Sequence, residues 1–477
     1  MPLQWSGLSP ELLLAVDRNS GEGLRAQLER QIRDAIRAGR LQVGERLPSS
    51  RELARRTGVS RGLVQDCYAQ LQAEGYLTGR IGAATTVAAR ACPQPAPTAP
   101  PGRTPSEERP DGPPLVADFR SGVPDLASVP LADWLWAVRE AARTLPTAAL
   151  DYGDPHGAPL AREVVAGYQR RVRAAAADAD GTVVCTGYAQ GLALALRALA
   201  ARGVTTLAHE DPGAPAATSR AAVHAGMTAV PVPVDEDGVD VRALEATGAR
   251  AVLVTPAHQW PTGVVMTAGR RRALIDWAQR RDAFVIEDDY DAEFRYDRDP
   301  VGSLQGLAPD RVLNIGTVSK SLAPALRLGW LLCPPALLGA VAAFKAADDR
   351  GSPTLDQIAL AHLITSGRYD RHLRRMRAEY AARRATLVEA LAAHAPGVRL
   401  TGLAAGFHAV ADLGPGRDEE RVVAAARARR VGLYGMAGHH AAPDAAGGRP
   451  RLVLGFGNTG RRAITEGVAA VGGLLAD

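Results

Sequence analysis

The chain has 56 positions occupied by Lys or Arg, and only two of them, Lys320 and Lys345, are lysine. Arginine stays protonated and cannot form an imine, whereas a lysine in a tuned site can lose its proton and bond covalently to an aldehyde. A lysine kept against that background points to Schiff-base chemistry at Lys320, within the stretch RVLNIGTVSKSLAPALRLGW at 311–330. Its neighbours agree. Thr317 and Ser319 are small hydroxyl donors, and Arg327, seven residues on, adds a fixed positive charge, a set suited to a phosphate. Val312-Leu313-Asn314-Ile315 reads as a buried strand and Gly316-Thr317-Val318-Ser319 as the turn that ends it. An exposed lysine beside a loop is the plain alternative, and the scarcity of lysine and the Thr-x-Ser-Lys setting argue against it.

Two other stretches carry compatible chemistry. After Thr182-Val183-Val184-Cys185, the run Thr186-Gly187-Tyr188-Ala189-Gln190-Gly191 opens an apolar helix. A small-residue turn feeding a helix start offers a phosphate backbone amides and the positive end of the helix dipole. Val285-Ile286-Glu287-Asp288-Asp289-Tyr290 reads as a strand running into three carboxylates and a tyrosine. An aspartate at a strand end can keep a pyridine nitrogen protonated, and a tyrosine hydroxyl can bond a phenolate oxygen. A solvated acidic loop or a divalent-metal site are the alternatives. No paired histidines accompany these carboxylates, so no metal is expected.

Strand-like runs at 203–208, 251–255, 284–287 and 312–315 alternate with helical segments, which implies an α/β body with a mostly parallel sheet wrapped by helices. With its motifs in this kind and order, the body at 115–477 resembles the fold-type I, pyridoxal-phosphate-dependent aminotransferases. The resemblance implies that Lys320 is the Schiff-base lysine, Asp288 the partner of the pyridine nitrogen and Tyr290 the partner of the ring oxygen. It implies further that Thr317, Arg327 and the amides of Tyr188 and Ala189 hold the phosphate. Gln259-Trp260-Pro261-Thr262-Gly263 stands where the family often has Asn-Pro-Thr-Gly, with Trp260 in the asparagine's place, and Arg451 falls where the family binds a substrate carboxylate. In Glu210-Asp211-Pro212-Gly213-Ala214 the last position usually holds an aromatic that stacks on the cofactor ring. Ala214 there implies a looser site or stacking by another side chain.

At 477 residues the chain exceeds what one core accommodates, so two or three units are expected. With 46% hydrophobic and 22% charged residues and no basic segment leading an apolar one, it reads as globular and cytoplasmic. Cys67, Cys92, Cys185 and Cys333 form no CxxC pair, which indicates neither a disulfide framework nor a zinc site.

Charge is uneven along the chain. Residues 24–87 hold 11 arginines and six acidic residues, a surplus of +5 that equals the formal net charge of the whole protein. Leu24, Leu28, Ile32, Ala35 and Ile36 keep helical spacing up to Gly39. Ser49 and Glu52 have capping-box spacing ahead of a second helix that ends at Thr57-Gly58, and Ser60 caps a third with Leu63, Val64, Cys67, Tyr68 and Leu71 as its apolar stripe. Tyr76-Leu77 and Thr85-Thr86-Val87 read as a hairpin around 79–84. That order is a winged helix-turn-helix, which would place Ser60, Arg61 and Gln65 in the major groove of double-stranded DNA and Arg51 and Arg80 on phosphates or groove edges. GRLQVGERLPSSRELARRTGVSRGLVQDCYAQLQAEGYL resembles the DNA-binding domain of GntR-type regulators.

The expected domains are an extension at 1–23, the winged helix at 24–87, a Pro-rich linker at 88–114 and the body at 115–477. This combination resembles the MocR-type subfamily of GntR regulators. The resemblance implies a homodimeric transcription regulator that senses pyridoxal phosphate, or an amino compound through Arg451, at Lys320. An aminotransferase with an accessory DNA-binding domain is the alternative.

Overall fold

The computed structural model describes residues 14–18, 20–79, 84–88, 114–296, 302–442 and 449–476, and the chain divides into two units between Asp111 and Gly112. The 88–114 linker therefore lies almost wholly outside the described residues, as do Arg80 and most of the expected hairpin loop.

In the first unit α1 spans Leu24–Arg37, α2 Ser50–Thr57 and α3 Arg61–Ala73. Their ends follow the expected chemistry. The Ser49 hydroxyl accepts from Glu52 N at 3.2 Å and that of Ser60 from Leu63 N at 3.2 Å, so each cap satisfies an amide the helix leaves bare. Gly58 closes α2 at φ +68°, a conformation that a Cβ would disfavour. Leu28, Ile32, Val64, Cys67 and Leu71 pack into one core. A short antiparallel pair, β1 Leu77–Thr78 and β2 Thr86–Val87, covers it, one residue later than expected at each start.

In the second unit eight strands form the main sheet: β3 Thr182–Cys185, β4 Thr206–Asp211, β5 Thr228–Asp235, β6 Gly238–Val239, β7 Ala251–Val254, β8 Phe284–Asp289, β9 Val312–Thr317 and β10 Gly329–Leu332. Their order is β3-β10-β9-β8-β7-β4-β5-β6. The central ladder β9-β8-β7-β4-β5 is parallel throughout, whereas β10, β3 and β6 run antiparallel to their neighbours. Central strands of this kind are buried on both faces and read as apolar runs, which is why they were visible in sequence. A helix, α4, spans Tyr188–Ala201 and a later one, α5, spans Pro335–Asp349. A smaller sheet holds β11 Arg399–Thr401, β12 His408–Asp412 and β13 Arg451–Gly455.

All four expected strands of the body depart from their expected bounds, β7 ending one residue early and β8 two residues late. β9 continues through Gly316 and Thr317, where a turn was expected, because its ladder with β8 and β10 runs on and Gly316 lies flat against Trp330. β4 starts and ends three residues late. Its polar end, His209 and Glu210, is buried, so the apolar run alone misplaced it.

A Cβ on Gly316 would lie 2.2 Å from the indole nitrogen of Trp330. Gly316→Ala is therefore expected to cost about 1–3 kcal/mol through overpacking. Thermal unfolding followed by circular dichroism checks this, and an unchanged midpoint would contradict the close approach.

Candidate functional site

The parallel strands deliver their C-terminal ends to one place, the usual location of ligands in sheets of this type. A cavity of about 400 Å³ lies there, lined by Tyr188, Ala189, Asp288, Tyr290, Thr317, Lys320 and Arg327. All seven cofactor-binding candidates thus share one cavity, although they are spread over 140 residues of sequence.

One end of the cavity is built for an anion. Tyr188 and Ala189 open the 14-residue α4, whose first amides have no partners within the helix. Gly187, at φ +91°, precedes them, and a Cβ there would come within 3.2 Å of the Arg327 guanidinium. Glycine thus lets that charge pack against the turn. Thr317 Oγ1 lies 2.8 Å from Ser319 Oγ and accepts from Ser319 N at 3.1 Å. Behind the turn, Gln190 Oε1 accepts from Thr186 N at 2.8 Å and Gln190 Nε2 donates to Asp349 at 2.7 Å. Asp349 in turn pairs at 2.8 Å with Lys345, which is fully buried and also bonds Ser352. The second lysine is therefore a brace beneath the anion-binding turn, a role with no local sequence signal.

The other end is lined by Lys320, Asp288, Tyr290 and Trp260. Lys320 Nζ donates to Gly122 O at 2.6 Å. Asp288 Oδ1 is buried and has no hydrogen-bond partner. Burial pushes its carboxyl well above the usual carboxylate range, Asp289 adds to the shift, and Lys320 opposes it. Tyr290 donates its hydroxyl proton to His258 O at 3.0 Å, and burial, then Asp291 and Asp288, hold that hydroxyl protonated. Trp260 lines the cavity with Ala214 and crosses Tyr290 edge-on, with ring centroids 6.2 Å apart.

Sequence reasoning missed a layer behind these residues. Glu210, His209 and Thr255 also line the cavity. Gln259 Nε2 donates to Pro212 O at 2.8 Å and to Trp260 O at 2.6 Å, tying the loop after β4 to the loop after β7. His258 Nδ1 lies 2.8 Å from Asp291 Oδ2, and the His408 ring lies tilted beside it with centroids 4.6 Å apart. The ligand atoms of His258, Asp291 and His408 fall within 4.8 Å of one another, a grouping of histidines and acid that linear spacing hid. Burial first, then His258, lowers the pKa of His408 well below its ordinary value, and its Nε2 lies 3.1 Å from Pro261 O.

The structure does not bring Arg451 to this cavity. Arg451 opens β13 opposite Asp412, its amide donates to Glu419 at 3.2 Å, and its Nε is buried without a hydrogen-bond partner.

On the first unit Arg51, Ser60, Arg61 and Gln65 are all exposed, with Arg61 and Gln65 one turn apart on α3. Seven of this unit's arginines fall into two groups. Arg25, Arg30, Arg33 and Arg56 carry carboxylate partners. Arg51, Arg55 and Arg61 carry none among the described residues, which leaves their charge available to phosphates.

Comparisons with known proteins agree with both halves. Residues 24–87 match the family of bacterial regulatory proteins, gntR family, and residues 116–441 match aminotransferase class I and II. The chain is 33% identical to the pyridoxine biosynthesis transcriptional regulator PdxR of Corynebacterium glutamicum, covering 94% of this chain and 95% of that protein. It is 32% identical to the probable rhizopine catabolism regulatory protein MocR of Rhizobium meliloti, covering 79% and 78% respectively. In fold it is similar to the multiple substrate aminotransferase of Thermococcus profundus, with a TM-score of 0.68 at 23% identity over 76% of this chain and 92% of that one.

The aminotransferase class implies pyridoxal phosphate as the cofactor. The cavity fits it, since the unpartnered Asp288 oxygen suits a protonated ring nitrogen and the turn beside Arg327 suits a phosphate. With a GntR DNA-binding domain joined to a body of this kind, the chain belongs to the MocR-type subfamily of GntR transcription regulators.

Proposed function

We propose that this regulator reads occupancy of the Lys320 cavity by pyridoxal phosphate itself and so controls vitamin B6 synthesis. The observation that carries this reading is the charge inventory of the cavity. Among its lining residues the one guanidinium is Arg327, set at the anion-binding turn, while Asp288 and Glu210 each present an unpartnered carboxyl oxygen. An α-amino acid effector brings a carboxylate that needs a further cation, and Arg451 does not line the cavity. Ala214 leaves a ring face without the family's aromatic, which suits reversible occupancy. The relative from Corynebacterium glutamicum, named for pyridoxine biosynthesis, supports the same signal.

Pyridoxal phosphate, when bound, supplies an aldehyde for a lysine amine and an electron-accepting ring. In this reading Lys320 presents the amine, Asp288 holds a proton on the ring nitrogen and Tyr290 binds the ring oxygen. Thr317, Arg327 and the amides of Tyr188 and Ala189 hold the phosphate. Occupancy shifts the balance between two states of the protein that differ in affinity for the operator. The working species is a cytoplasmic homodimer on a two-fold operator, with Ser60, Arg61 and Gln65 at base edges and Arg51 and Arg80 at phosphates or groove edges. Joint retention of Asp288, Tyr290, Lys320 and Arg327 favours a second reading, a working aminotransferase with an accessory DNA-binding domain.

Arg61→Ala is expected to abolish specific binding to a duplex that wild type selects from a random library, a loss of at least about tenfold by fluorescence anisotropy. Equal affinity would overturn the placement of α3. Lys320→Ala is expected to keep DNA binding but to lose the absorbance band that wild type acquires with pyridoxal phosphate, together with any effect of that compound on DNA affinity. An unaltered response would sink the role of Lys320. Sustained turnover of an amino acid panel by wild type would favour the second reading.

A further inference from the structure

Glu210, near the end of β4, is 5% exposed and lines the cavity. Its two carboxyl oxygens have opposite surroundings. Oε2 accepts three hydrogen bonds, from Thr255 N at 3.0 Å, Thr255 Oγ1 at 2.6 Å and Gln259 Nε2 at 3.2 Å. Oε1 is buried and has none.

The groups around it do not supply a compensating charge. On its own strand His209 Nδ1 lies 3.0 Å from the Glu210 carbonyl oxygen, and Asp211 is engaged with His440. The segment after β7 contributes Thr255 and Gln259, which are neutral donors. The end of β8 contributes Asp288 and Tyr290, and α4 contributes Tyr188; the Glu210 carboxyl raises the pKa of all three. Lys320 is held on Gly122 O and lowers the pKa of Asp288. A buried carboxylate with no cation on it and one oxygen without a donor is costly. A proton on Oε1 removes the charge, while Oε2 keeps all three donors and Oε1 becomes a hydroxyl in need of an acceptor.

We propose that Glu210 is a further ligand-contacting residue of this site: a neutral carboxylic acid that donates from Oε1 to an oxygen of the cavity's occupant, beside Asp288. This rests on the reading of the cavity as a pyridoxal phosphate site. Burial pushes the Glu210 carboxyl up to about 7, against the pull of Thr255 and Gln259. In the empty protein it therefore loses its proton as pH rises through neutrality. The ionised form has no hydrogen to donate and sets a negative charge in the cavity wall, so affinity for an anionic occupant falls in the same range.

The test uses pyridoxamine 5'-phosphate, which has no aldehyde and cannot bond covalently to Lys320. Its affinity is measured by tryptophan fluorescence quenching from pH 6 to 8, with full-length wild type, Glu210→Gln and Thr255→Val. Glutamine keeps an acceptor for Thr255 and a neutral donor for the cavity. Wild type is expected to weaken about tenfold more than Glu210→Gln across this range, as linkage to one proton near neutrality requires. Thr255→Val, which removes one donor to the ionised form, is expected to move the wild-type midpoint to higher pH. Superimposable profiles of wild type and Glu210→Gln overturn the proposal. Should thermal melting show Glu210→Gln unfolded, the Thr255→Val shift decides, and an unmoved midpoint overturns it. Absence of a Lys320-dependent absorbance band with pyridoxal phosphate would instead overturn the reading of the cavity.

Discussion

The alternation of side chains along β8 decides which carboxylates serve the fold and which faces the cavity. Glu287 and Asp289 share one side of the strand and Asp288 takes the other. Glu287 accepts from Leu304 N at 2.8 Å, Gln305 N at 3.1 Å and Asn314 Nδ2 at 3.1 Å. Asp289 is clamped by the buried Arg173 at 2.7 and 2.9 Å. Both are satisfied by neighbouring segments, and removing one member of such a pair would strand a buried charge. Asp288 alone is left with an open oxygen. A slip of one residue in the pairing of Asp288 with Ile315 would exchange these roles and put two carboxylates toward the ligand.

Parallel pairing then does for the rest of the site what alternation does for Asp288. Because β4, β7, β8 and β9 run the same way, Glu210, Thr255, Asp288 and Thr317 emerge at the same edge of the sheet. The loop after β9 carries Lys320 to the mouth of that edge. A sheet with its central strands antiparallel would have scattered these groups between two edges.

Much of this was legible in the sequence for local reasons. Ser49, Gly58 and Ser60 announced helix ends through short-range hydrogen bonds and backbone conformation, and the central strands announced themselves by unbroken apolar runs. Lys320, Asp288, Tyr290 and the turn at Gly187 could be named because each sits in a compact motif. The supporting layer could not. Glu210 meets Thr255 across 45 residues, His258 meets Asp291 across 33, and Lys345 meets Gln190 across 155, so the partnerships exist only once the sheet has assembled. Arg451 shows the converse. A residue matched by family position alone sits on β13, with its backbone engaged by Glu419 and Met436 and its side chain outside the cavity.

The burial of Lys345 also bears on which amines of the chain an aldehyde can reach. Any aldehyde reacts with accessible amines, and a surface rich in lysine would take up ligand at many unproductive places. Here Lys345 has no exposed surface and its ammonium is engaged by Asp349 and Ser352, while every other cationic side chain apart from Lys320 and the histidines is a guanidinium. Of the two lysine side chains, only that of Lys320 is thereby left within reach of a small aldehyde.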